Sequence, residues 1–211
     1  VSTIIKLRAI ARQQQLLRID FETPPSHEVL NAALADFRAQ LQHADVVILS
    51  DYGKGGLAHI AQMIAWARAA GKPVLVDPKG ADYERYRGAT LLTPNRSEFR
   101  DVAGSWANDA ELNSKAEQLR VALGLEALLV TRSEEGMSLY EAHGISHEPA
   151  QCREVFDVSG AGDTVIATLA VMLATGAALA DAMHIANRAA GIVVGKLGTA
   201  VVNREEIIKD M

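Results

Sequence analysis

The segment Asp157-Val-Ser-Gly-Ala-Gly-Asp163 places small residues, which let a backbone approach a ligand closely, directly before an apolar run from Thr164 to Thr175. That run predicts a long helix, so the amides of 160–162 would lie at a helix N-terminus, which attracts anions. Asp163 would then lie in the first turn, where an ionised carboxylate can accept a proton from an attacking hydroxyl. This combination suits phosphoryl transfer. On spacing alone, a tight turn followed by a helix-start acid explains these residues equally well.

The elements that must position this loop are read from hydrophobic periodicity. Short apolar runs of strand length predict buried strands at 45–50, 74–77, 90–93 and 127–131. Apolar residues at helical spacing predict helices at 26–43, up to Ala70, and at 109–123, 161–175, 179–195 and 204–211. Strands that alternate with helices predict an α/β fold with a parallel sheet covered on both faces. The segments 137–141 and 145–148 predict two antiparallel strands at the sheet edge.

Composition and charge restrict the class of protein. The chain has 211 residues, of which 49% are hydrophobic and 22% charged, which is typical of one globular unit. A net charge of −5 provides no basic field for nucleic acid or an anionic membrane, so we predict neither partner. The chain has no apolar run of about 18 residues, and its single cysteine, Cys152, is expected to be structural. A cytoplasmic location is therefore expected.

The stretch from Asp157 to Val165 resembles the C-terminal signature of the ribokinase-like (phosphofructokinase B) sugar kinases, Asp-Thr-x-Gly-Ala-Gly-Asp, with Val158 in place of the usual Thr. The resemblance implies that Asp163 is the catalytic base. It also implies an anion hole formed by Gly160, Ala161 and Gly162. It further implies a ribokinase-like three-layer α/β/α fold, with a mainly parallel sheet and antiparallel edge strands, and ATP and Mg²⁺ as cofactors.

Three more blocks resemble nucleotide-binding elements of that family. Thr93-Pro-Asn-Arg-Ser-Glu98 is similar to its Asn-x-x-Glu element, which implies that Glu98 organises Mg²⁺ through water. The segment 130–136 is similar to a nucleotide-contacting turn, and Asn187 and the loop Gly195-Lys-Leu-Gly198 occupy positions that line the adenine pocket in relatives. The implied nucleotide contacts are Asn95, Glu98, Thr131, Arg132, Ser133, Gly136, Asn187, Lys196 and Gly198. From the residues alone, a helix cap, a β-turn and an ordinary helix end explain the same positions.

A finer resemblance, covering essentially the whole chain, is to the heptose 7-phosphate kinase domains of bifunctional ADP-heptose synthesis proteins. It rests on the blocks at 12–22, 49–55, 77–95 and 195–199. It implies ATP-dependent phosphorylation of the anomeric hydroxyl of heptose 7-phosphate. The product is the 1,7-bisphosphate, which leads to ADP-heptose and lipopolysaccharide core. A kinase for another sugar phosphate or nucleoside, and a nucleotide-binding fragment without catalysis, remain alternatives.

Charged residues near loops and strand ends are candidates for contacting the sugar phosphate: Arg12, Arg18, Asp51, Lys54 and Lys79. Arg binds phosphate bidentately and Lys binds it as a point charge, although a solvated surface side chain is the better explanation of each cation taken alone. Lys79 is the strongest candidate. Compared with the ribokinase-like sugar kinases, 1–211 is expected to be one kinase domain that lacks the N-terminal part of the fold. We expect 1–24 to be a remnant of a lid that could support a homodimer.

Overall fold

The computed structural model describes residues 4–11, 14–151 and 154–210, and the strands in these ranges form two sheets. An antiparallel pair consists of β1 (Ile5–Ala11) and β2 (Gln14–Phe21). The main sheet follows chain order and contains β3 (Val47–Ser50), β4 (Val74–Asp77), β5 (Leu91–Leu92), β6 (Ala127–Thr131), β7 (Met137–Glu141) and β8 (Gly144–Glu148). Strands β3 to β6 are parallel, whereas β7 and β8 are antiparallel. This confirms the predicted mainly parallel sheet with antiparallel edge strands.

The helices of the described ranges lie on both faces of the main sheet. They are α1 (His27–Gln40), α2 (Ile60–Ala69), α3 (Arg96–Ala103), α4 (Asp109–Ala122), α5 (Ala161–Ala174), α6 (Leu179–Val194) and α7 (Arg204–Asp210). The sequence predicted each of them except the extent of α3. That helix has eight residues and buries Phe99, so it shows too little apolar periodicity to be recognised. Cys152 lies outside the described residues.

Two hydrophobic cores separate the layers, because successive residues of a strand point to opposite faces. Val74 and Val76 of β4 pack into the core under α2, α3 and α4, whereas Leu75 between them packs into the core under α5 and α6. In β6, Leu128 and Leu129 divide between the two cores in the same way. The predicted three-layer α/β/α fold is therefore confirmed.

Parallel pairing brings the carboxyl ends of neighbouring strands to one edge of the sheet. Ser50 at the end of β3 is in register with Asp77 at the end of β4, and the Asp51 amide donates to the Asp77 carbonyl at 2.9 Å. Farther along, the Thr131 amide donates to the Pro94 carbonyl at 3.0 Å. The loops that follow β3 to β6 are thus fixed side by side, where ligands of open α/β sheets bind. None of the described helices is long and apolar enough to cross a bilayer.

Gly136 begins the turn into β7 with φ 87°, and no other residue type fits its surroundings. A Cβ atom there would lie 2.0 Å from the Glu148 carbonyl oxygen and 2.6 Å from the Ala150 nitrogen. We therefore expect Gly136→Ala to lower the free energy of unfolding by about 3 kcal/mol, since backbone strain and overpacking add. Urea unfolding followed by circular dichroism measures this loss.

Gly124→Ala is the matched control for this prediction. Gly124 also has a positive φ of 64°, but a Cβ atom there would meet nothing within 4 Å. Gly124→Ala should lower the free energy of unfolding by only about 1 kcal/mol, because backbone strain is the only cost. Equal losses in the two variants would contradict the clash described for Gly136.

Candidate active site

The predicted glycine loop forms the start of α5. Gly160 is the N-cap residue, with a left-handed φ of 81° that suits glycine. Its carbonyl accepts the Thr164 amide at 2.9 Å and the Thr164 hydroxyl at 2.8 Å, which fixes the first turn. The Ala161 amide donates to the Val158 carbonyl at 3.2 Å, and the next two amides belong to the helix start. Asp163 lies in this first turn, next to the positive end of the helix dipole.

Asp163 also receives a hydrogen bond from a distant loop. The hydroxyl of Tyr52, which follows β3, donates to Asp163 Oδ1 at 3.3 Å. The Tyr52 side chain is otherwise exposed to solvent, so this bond orients one carboxylate oxygen without burying the group. The sequence analysis missed Tyr52, and its position directly after Asp51 at the end of a buried strand was the available signal.

A cavity of about 730 Å³ lies between the start of α3, the start of α5 and the face of α6. Residues predicted as anion-hole or nucleotide contacts line it: Asn95, Thr131, Ser133, Gly136, Ala161, Gly162 and Asn187. Its lining combines the first turns of α3 and α5 with apolar side chains such as Met137, Val165 and Val194. Its size is that of a small-molecule site.

A second, mainly apolar cavity of about 760 Å³ adjoins the other side of the α5 start. Gly160, Asp163 and Thr164 line it, together with residues of α6, of α7 and of 199–203. Gly162 lines the first cavity and its neighbour Asp163 lines the second. The predicted base therefore lies at the boundary between two spaces, each large enough for a small molecule.

Carboxylates crowd the sheet edge beside Asp163. Burial and, to a smaller extent, the negative charges of Glu98 and Asp163 together raise the pKa of Asp77 to about 7. Glu98 is the third residue of α3, and its Oε2 accepts the Asn95 amide at 3.0 Å, while the Asn95 side chain accepts the Glu98 amide, a capping box. The ammonium of Lys79 binds Glu98 Oε1 at 2.8 Å. Asp77 is a second residue that the sequence analysis did not single out.

Two predicted nucleotide contacts have side chains engaged elsewhere. The guanidinium of Arg132 is buried and binds Asp109 at 2.7 Å, and it also pairs with Glu135. The ammonium of Lys196 binds the Val201 carbonyl at 2.8 Å and a carboxylate of α7. Neither side chain is among those that line the 730 Å³ cavity.

Gly198 and Asn187, two further predicted nucleotide contacts, make hydrogen bonds within the protein. Hydrogen bonds from Ser159 and, with a smaller effect, from the Gly198 backbone lower the pKa of the Asp157 carboxyl. The Asn187 side chain is buried and donates to the Pro149 carbonyl at 2.7 Å. The last loop, Gly195 to Thr199, is thereby held against the glycine loop.

The predicted sugar-phosphate contacts do not all come together. Asp51 is buried and accepts hydrogen bonds from the Tyr86 hydroxyl at 2.9 Å and the Gly53 amide at 2.8 Å. Lys54 pairs with Glu22. Arg18 pairs with Asp20 on β2, away from the main sheet. Lys79 lies beside the Asp51 loop, since a Cβ at Gly53 would touch its side chain at 3.6 Å. Arg12 lies outside the described residues.

The raised pKa of Asp77 predicts a pH-dependent stability. Its folded-state pKa of about 7 exceeds the ordinary value of 3.8, so folding favours the protonated form. The free energy of unfolding should therefore fall as pH rises from about 4 to about 7. We expect Asp77→Asn to remove this contribution and to melt at a higher temperature than the wild type at pH 8. Asp36→Asn, at an exposed position of α1, should leave the profile unchanged, and identical profiles for Asp77→Asn and wild type would refute the assignment.

Comparison with known proteins gives the class first. Residues 2–206 match the family model described as "pfkB family carbohydrate kinase". The chain belongs to this family, as its glycine loop and fold indicate.

Particular relatives are more specific. The chain is 56% identical over 205 residues to D-beta-D-heptose 7-phosphate kinase of Bordetella bronchiseptica, covering 97% of this chain and 66% of that protein. It is 58% identical over 208 residues to the bifunctional protein HldE of Methylococcus capsulatus, covering 98% and 44%. The chain thus spans just under two thirds of the first relative and less than half of the second. The fold is similar to that of Arabidopsis thaliana ribokinase complexed with ribose and ATP, with a TM-score of 0.74, 21% identity, and coverage of 93% and 64%.

Proposed function

We propose that this chain is the ATP-binding and catalytic part of a kinase that phosphorylates the anomeric hydroxyl of heptose 7-phosphate. The product is the 1,7-bisphosphate, used for ADP-heptose and lipopolysaccharide core. One observation carries the proposal: Asp163 lies in the first turn of α5, at the boundary between two cavities, with the predicted nucleotide contacts lining one of them. Relatives of 56% and 58% identity that are named as heptose 7-phosphate kinase and HldE support the choice of sugar.

The lining of the 730 Å³ cavity suits ATP. An adenine ring fits among apolar side chains such as Met137 and Val194, and the Asn187 amide is held in place by the Pro149 carbonyl. The phosphates fit against the start of α5, which has no side-chain cap and presents backbone amides. The terminal phosphate would then lie beside Gly162, next to Asp163.

Asp163 is suited to act as the base in the transfer. The anomeric hydroxyl of the sugar gives its proton to the Asp163 carboxylate as its oxygen bonds to the terminal phosphorus of ATP, and the bond from that phosphorus to the leaving ADP breaks. Tyr52 donates to one carboxylate oxygen, which leaves the other for the sugar. The amides at the α5 start stabilise the charge on the transferred phosphoryl group.

Mg²⁺ fits the carboxylate edge beside Asp163. Mg²⁺ keeps several of its waters in proteins and binds carboxylate and phosphate oxygens. Glu98 would order it through water. The mutual repulsion of Asp77, Glu98 and Asp163 indicates a negative potential that a cation relieves. When bound, Mg²⁺ neutralises charge on the phosphates.

Lys79 is the residue we propose for the 7-phosphate of the sugar. Its ammonium is about half exposed and lies at the carboxyl end of β4, between the Asp51 loop and Glu98. A cation that neutralises Glu98 can exchange this partner for a phosphate once Mg²⁺ takes over the carboxylate. The other predicted cations, Arg18 and Lys54, already have carboxylate partners on or near β2.

A panel of acceptors tests the proposed function. We expect the protein to phosphorylate heptose 7-phosphate with at least about 100-fold higher kcat/KM than fructose 6-phosphate, ribose 5-phosphate or unphosphorylated heptose, since an unmatched phosphate site leaves charged groups unpaired. Asp163→Asn should lower kcat by about 10³-fold or more and change ATP affinity less than threefold. A coupled ADP-release assay and calorimetry measure these quantities.

Asp181→Asn is the control for this prediction. Asp181 is likewise an exposed acid in the first turn of a helix, α6, and lines neither cavity. It should keep wild-type turnover. A preferred acceptor other than heptose 7-phosphate would overturn the proposed sugar, and near-normal turnover in Asp163→Asn would overturn the proposed base.

We propose further that the β1–β2 pair joins two copies of this chain. Its cross-strand pairs Ile5–Phe21, Leu7–Ile19 and Ala9–Leu17 share one face, and all six residues are exposed. Charged residues such as Lys6 and Asp20 occupy the opposite face. A two-stranded sheet is only marginally stable alone, and a contiguous face of exposed apolar side chains marks an interaction surface.

The oligomeric state tests this proposal. The wild type should elute as a dimer in size-exclusion chromatography with light scattering. Ile19→Lys should be monomeric, because it puts a charge at the centre of the apolar face. Lys6→Gln, on the opposite face, should stay dimeric. A monomeric wild type would show that another segment covers the face.

A further inference from the structure

The lining of the 730 Å³ cavity has little positive charge that is not already neutralised. Two cationic residues are among those that line it, Arg96 and Arg100, one turn apart on α3. Arg96 is ion-paired with Glu135 at 2.5 Å. Among the described residues, the Arg100 guanidinium makes neither a hydrogen bond nor an ion pair with another residue. Arg100 is therefore the one cavity-lining cation of the described ranges that keeps its charge available.

The other cations near the site are committed to carboxylates. Lys79 binds Glu98, Lys196 binds Glu206, and Arg132 binds two acidic side chains. The cavity also contains Glu134, and the chain as a whole carries a net charge of −5. A nucleotide triphosphate is itself strongly anionic, so helix amides and the proposed Mg²⁺ would have to offset this repulsion. An unpaired guanidinium at the cavity wall offsets this electrostatic repulsion.

An aromatic ring holds Arg100 in place without consuming its charge. The Arg100 guanidinium carbon lies 5.5 Å from the centre of the Trp106 ring, and that of Arg96 lies 5.9 Å away. Trp106 is fixed in turn by Phe99, with ring centres 5.6 Å apart. A cation–π contact restricts the long side chain while the N–H groups at its edge stay free to bind. Less conformational entropy is then lost when a ligand arrives.

We propose that Arg100, held over Trp106, binds the phosphate chain of the nucleotide in this cavity. The inference rests on the proposed function, because it takes the 730 Å³ cavity as a nucleotide site. It adds a phosphate-binding residue that neither the glycine loop nor the Asn-x-x-Glu element contains. Arg96 is neutralised by Glu135, so we assign it no phosphate contact.

Calorimetric titration with ATP and with adenosine tests this assignment. Arg100→Met should weaken ATP binding by about tenfold or more, the size of one charge-assisted hydrogen bond, and leave adenosine binding within twofold. Arg100→Lys should recover most of the ATP affinity, because an ammonium also binds phosphate.

Arg38→Met is the matched control. The Arg38 guanidinium carbon lies 4.9 Å from the centre of the Trp66 ring, so the substitution removes the same charge and the same kind of stacking from α1, away from the cavity. It should leave both affinities unchanged.

The outcomes separate this inference from the proposed function. A wild type that binds neither ATP nor adenosine would overturn both. A wild type that binds ATP while Arg100→Met binds it equally well would overturn the Arg100 assignment alone. Equal losses of ATP and adenosine affinity in Arg100→Met would also overturn it, since they would indicate a damaged cavity rather than a lost phosphate contact.

Discussion

Parallel pairing of β3 to β6 in chain order is the constraint on which the rest of the structure depends. Each strand is buried between two helical layers, so its hydrogen-bonding groups must be satisfied by neighbouring strands in one register. That register places the carboxyl ends of the strands at a single edge of the sheet. Asp51, Asp77 and Asn95 lie at or just after the ends of three successive strands and therefore become neighbours, although up to 44 residues separate them in the chain.

The charges at this edge are arranged so that opposite signs partly cancel before any ligand is present. Lys79 compensates Glu98, Tyr52 donates to Asp163, and Asp77 responds to burial and repulsion with a raised pKa. Grouping several acids in a half-buried edge is unfavourable for folding alone. The arrangement becomes favourable when a ligand brings additional positive charge to this edge. Acids with a raised pKa are typical of functional sites.

The sequence was sufficient for the architecture. Apolar runs of strand length and helical periodicity located the main elements, because burial between layers leaves a strong compositional signal. The glycine loop and Asn95 were proposed as the centre of the site from a family resemblance, since a tight turn and a helix cap explain the same residues on spacing alone. Tyr52, Asp77 and Arg100 were not recognisable as a group, since their significance comes from which strand ends and helix faces meet in space. Arg132 shows the converse: its motif position suggested a ligand contact, whereas its guanidinium forms internal ion pairs.

The capping box at the start of α3 gives a structural role to two side chains that are also proposed to bind ligands. Asn95 and Glu98 satisfy the helix start reciprocally. Selection for folding alone would therefore preserve both residues even in a descendant that had lost catalysis. Among relatives of this chain, an intact Asn-x-x-Glu element is then weak evidence of activity. Asp163, the proposed base, has no part in capping, so its loss would be the more informative sign of an inactive lineage.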